Sequence, residues 1–70
     1  MAYLNLNSWP WSVVYLNGRR LRGNTPLFRV KVQAGKHQLR FVNPELGMSR
    51  EVAVAVDAGM VKTVAISLQQ

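Results

Sequence analysis

Cysteine is missing from this chain, so neither a disulfide nor a thiolate-bound metal can staple it. Carboxylates are almost missing as well. Glu45, Glu51 and Asp57 are the only acidic side chains, and His37 is the single histidine. That set is too small for most metal sites and for paired acid–base chemistry. The serines at positions 8, 12, 49 and 67 include none on a Gly-x-Ser-x-Gly elbow, and Gly18 and Gly23 precede extended segments rather than a helix that would cradle phosphate. No catalytic residue, metal or cofactor is expected. Long apolar runs are absent too, and none approaches the roughly 20 residues that cross a bilayer. The first residues lack the basic region and apolar core of a secretion signal.

Alternation is what the sequence has in their place. Seventy residues bound the answer to one domain, 1–70, which reads as a unit excised from a larger protein. A domain of this size buries only about 60% of its unfolded surface, so nearly every strand must contribute to the core. Residues 3–8 alternate with Leu4 and Leu6 inward, and a corner follows at Trp9-Pro10-Trp11. Residues 12–17 form a second strand with Val14 and Leu16 on one face and Val13 and Tyr15 on the other. Asn17-Gly18 then tolerates the positive φ angles of a tight hairpin, and 20–22 return as a short third strand. After Asn24-Thr25-Pro26, Phe28, Val30 and Val32 alternate with Arg29 and Lys31. Leu39 and Phe41 define the next strand, 37–42.

Residues 49–56 place Val52, Val54 and Val56 on one face. Their alanines favour helix, but valines two apart would scatter around a helical cylinder. Val64, Ile66 and Leu68 point inward in the last strand, 61–68. Turn signals recur every 8 to 12 residues or so, which predicts an all-β, small antiparallel β-sandwich of six or seven short strands, Ig-like in type. Only Met1-Ala2 and Gln69-Gln70 read as frayed ends.

Several of these pieces fall in one order: Pro10, the second strand, Asn17-Gly18, Gly23-Asn24-Thr25-Pro26, and Ala34-Gly35-Lys36-His37. In that order the chain resembles the PEGA domain, a small bacterial and archaeal β-sandwich module, over about residues 4–68. Pro10-Trp11-Ser12-Val13 stands where the family has its Pro-Glu-Gly-Ala, a variant similar to the domains appended to bacterial Ser/Thr protein kinases. The resemblance implies a non-catalytic accessory module within a larger bacterial protein, either envelope-associated or a cytoplasmic or membrane kinase.

Nine basic residues give a formal net charge of +6, and such a surface attracts polyanions. The candidate interaction residues are Trp9, Trp11, Tyr15, Arg19, Arg20, Arg22, Arg29 and Lys31. Trp11, at the tip of the corner, is the ring expected to stay exposed, and Val13, Tyr15 and Val42 are expected to form an apolar docking patch. The corner and the Arg19-Arg20-Leu21-Arg22 hairpin would be displayed together to a protein partner, to other domains of the parent protein or to an anionic envelope polymer. The alternative is a small basic barrel that stacks nucleic-acid bases on Trp9, Trp11 and Tyr15. Exposed strand edges would allow a homodimer, and charged edges also serve against aggregation without binding anything. His37 is expected to pack over an edge or to bond a backbone carbonyl.

Overall fold

The structure, a computed structural model, describes residues 1–68. It contains seven strands and, among the described residues, no helix: β1 Ala2–Trp9, β2 Val13–Leu16, β3 Arg19–Asn24, β4 Leu27–Val32, β5 Gly35–Asn43, β6 Met48–Val56 and β7 Val61–Ser67. They form two facing sheets, one of order β4-β1-β7 and one of order β3-β2-β5-β6. Every alternating segment in the sequence is a strand.

One pairing departs from the antiparallel expectation. β7 lies parallel to β1, in register from Tyr3 opposite Val61 to Trp9 opposite Ser67. The reason is parity. Each connection reverses the chain, so strands an odd number of steps apart run antiparallel, as β1–β4 and β2–β5 do. β1 and β7 are six reversals apart and therefore run the same way.

Between the sheets lies a core of Ala2, Leu4, Leu6, Val14, Val32, Leu39, Phe41, Val54, Val56, Val64 and Leu68. Period-two alternation delivers these side chains to one face of each sheet. Ala2 is fully buried and the Met1 carbonyl accepts from the Gly59 amide at 2.8 Å, so the start of the chain is tied into the sandwich instead of fraying. Gln69 and Gln70 lie outside the described residues.

Phe28 is the clearest correction to the expected core. Leu4 sits opposite Val30 and Leu6 opposite Leu27, so β4 spends three residue steps where β1 spends two. That extra residue is a β-bulge, with Arg29 at φ 53° and its amide donating to Asn5 Oδ1 at 2.9 Å. The bulge resets the alternation. Leu27, Val30 and Val32 pack on the core while Phe28 is 73% exposed.

Candidate functional site

The Trp9–Trp11 corner is built on hydroxyl groups. Ser8 Oγ lies 2.8 Å from the Pro10 carbonyl, 2.7 Å from Ser12 Oγ and 2.8 Å from Thr25 Oγ1. A carbonyl only accepts, so the Ser8 proton points at Pro10 and the other two hydroxyls donate to Ser8. Thr25 Oγ1 in turn accepts from the Ser12 amide at 2.9 Å, and the Thr25 amide donates to the Ser12 carbonyl at 2.9 Å. Asn43, fully buried, donates from Nδ2 to the Trp11 carbonyl at 2.8 Å and accepts from the Leu46 amide at 2.9 Å. The corner is thereby fixed to both the β3–β4 and the β5–β6 connections. Both rings are exposed, Trp11 as expected at 37% and Trp9 further, at 70%. Leu4, Leu6 and Ser8 take the inward positions of β1, which leaves Trp9 outward on the three-stranded sheet.

At the far end of β2, Asn17 (φ 51°) and Gly18 (φ 86°) make the tight turn, with Leu16 opposite Arg19. Asn17 Oδ1 accepts from the Gln38 amide at 2.8 Å, and its Nδ2 donates to His37 Nδ1 at 3.0 Å. His37 Nε2 donates to the Gln33 carbonyl at 2.6 Å, so both imidazole nitrogens are engaged in joining β2 to the β4–β5 turn. Arg19, Arg20 and Arg22 are exposed on β3, which forms one edge of its sheet. Tyr15 is half-buried on the outer face of β2, between Arg20 and Arg40. Val13, on the same face, is buried beside half-buried Val42, so the expected apolar patch loses its first member.

On the other sheet, β4 is likewise an edge and carries Arg29 and Lys31. The Arg29 guanidinium sits 4.8 Å from the centre of the Tyr3 ring, a cation–π contact. Lys31 pairs across from the same tyrosine.

These placements separate what the sequence grouped together and group what it listed separately. Trp9 and Tyr15 face away from each other on opposite sheets, so the two rings cannot line one groove. The corner and the Arg19 end of the hairpin are also apart, at opposite ends of β2, about 10 Å along the strand. The five cations share a pair of edge strands but not a face: Arg20 lies on the outer face of the four-stranded sheet beside Tyr15, and Arg29 and Lys31 lie on the outer face of the three-stranded sheet beside Tyr3. β3 and β4 are joined by only two residues, Thr25 and Pro26, so the edges that bear Arg19, Arg20, Arg22, Arg29 and Lys31 form one side of the sandwich. No carboxylate lies on either strand. All three acids lie elsewhere: Glu51 on β6, Glu45 in the turn before it and Asp57 in the turn after it.

Arg40, which the alternation already places outward, joins this picture with Gln38 and Lys36. They occupy the outward positions of β5, with Arg40 directly opposite Tyr15. Only their period of two, opposite Leu39 and Phe41, could have signalled it. Among the described residues, no three histidine, cysteine, aspartate or glutamate side chains gather at one point. No family model matches the chain, and no curated protein or solved structure matches it.

Proposed function

We propose that the chain is a non-catalytic interaction module, a PEGA-like accessory domain of a larger bacterial protein, which engages an acidic partner along its β3–β4 side. The observation that carries this reading is the segregation of charge by edge: five cations and no acid on β3 and β4, all three acids on β6 and its turns. A one-signed edge orients an approaching polyanion and raises its encounter rate. The partner is an acidic face of a protein, including another domain of the parent chain, or an anionic envelope polymer. Both would meet cations held on paired strands, so little backbone order is lost on binding.

The test is binding of a labelled polyglutamate peptide across a salt series. Affinity should fall steeply with salt, and replacing Arg19, Arg20 and Arg22 together by glutamine should weaken it on the order of tenfold or more, while Lys62→Gln on the opposite side should change it little. Equal losses from both variants would overturn the edge as the site. A partner that docks on exposed Trp9 would instead tolerate salt and respond to Trp9→Ala.

A further inference from the structure

Arg20, Tyr15 and Arg40 form a row across the outer face of the four-stranded sheet. The register puts Arg20 directly opposite Tyr15 on one side and Arg40 directly opposite on the other. Opposed residues share a face with Cβ atoms about 5 Å apart, so Tyr15 stands between two arginines in the row. A shallow depression opens beside the ring, lined by Tyr15, Gly18, Gln38, Arg40 and Glu51. Gly18 contributes no side chain to its lining, and Gln38 adds a residue that carries a carboxamide.

Three kinds of recognition therefore meet at one place: a flat π surface, a pair of cations, and a group that both donates and accepts hydrogen bonds. A ligand that uses all three has a planar ring with polar edges and anionic groups on both sides of it. We propose that this face binds single-stranded nucleic acid, with one base stacked on Tyr15, the flanking phosphates on Arg20 and Arg40, and the base edge on Gln38. Exposed Arg22 on β3 and Lys36 on β5 continue the cationic track, and the one carboxylate on this sheet face, Glu51, sits directly opposite Arg40. A duplex keeps its bases in the stack and offers no ring to so shallow a site. An acidic peptide would use the arginines and ignore the tyrosine. The inference rests on the polyanion reading and extends it to a further polyanion, at a site that takes Arg20 and Arg22 from β3 and its other groups from β2 and β5.

The experiment is fluorescence anisotropy of a labelled single-stranded oligonucleotide, its duplex and a polyglutamate peptide at low and physiological salt. The proteins are wild type, Tyr15→Phe, Tyr15→Leu and Arg40→Gln, each checked for folding by circular dichroism. Single-strand binding should survive physiological salt, stay unchanged in Tyr15→Phe and weaken on the order of tenfold in Tyr15→Leu, which keeps apolar bulk and removes the π face. Arg40→Gln should weaken it and flatten its salt dependence. Equal affinity for duplex and single strand with no effect of Tyr15→Leu would overturn the proposal. Polyglutamate binding without oligonucleotide binding would overturn it and leave the broader reading standing, whereas loss of both would end both.

Discussion

At the scale of single residues, the corner depends on buried polar groups whose partners lie far away in sequence. Asn43 satisfies the Trp11 carbonyl and the Leu46 amide from a fully buried position. Asn43→Ala leaves both without that partner, and the expected cost is about 1–3 kcal/mol, read as a lower urea midpoint. Thr25→Val tests the hydroxyl cluster in the same way. It keeps the shape and strands the buried Ser12 amide, again about 1–3 kcal/mol, while Thr25→Ser should retain most of the stability. In a domain this small either loss is a large share of the total. Asn43 was legible as a turn residue, since an asparagine that accepts from a nearby amide is a local device. Its bond to Trp11 was not, because no spacing rule connects positions 32 residues apart.

At the scale of elements, alternation located all seven strands and the inward faces of most of them, and it failed where a bulge broke the period. Nothing in Leu27-Phe28-Arg29-Val30 announces the extra residue, because positive φ at Arg29 is sustained by Asn5 on another strand. The consequence is that Phe28→Ser should change stability by no more than about 0.5 kcal/mol, a result that an inward Phe28 could not give.

The strands that end the sheets on the other side are managed differently. Arg50 and Lys62 occupy core-facing positions of β6 and β7, opposite Phe41 and Leu4. At the open side of the sandwich they reach across in opposite directions, Arg50 Nη1 to the Ser67 carbonyl at 3.1 Å and Lys62 Nζ to the Ala55 carbonyl at 3.2 Å. Inward-pointing cations on edge strands oppose pairing with another chain. Arg50→Ala combined with Lys62→Ala should therefore shift the protein toward self-association in sedimentation velocity. An unchanged distribution would mean that these two contacts do not guard the edges.

At the scale of the whole molecule, the fold converts a list of basic residues into a side. The sequence showed the excess of positive charge and named five of the cations on that side, but not that they share it, since β3 and β4 belong to different sheets and only the two-residue link brings their edges together. It also placed Trp9 with Tyr15, which the two sheets turn away from each other.

The most direct test of the charged side is a two-dimensional 15N–1H NMR titration of the domain with a short polyanion at physiological salt. The account predicts amide shifts that saturate and cluster on β3, β4 and the outer face of β2 and β5, with β6 and β7 unmoved. Shifts spread evenly over the surface, or centred on β6 and β7, would contradict it.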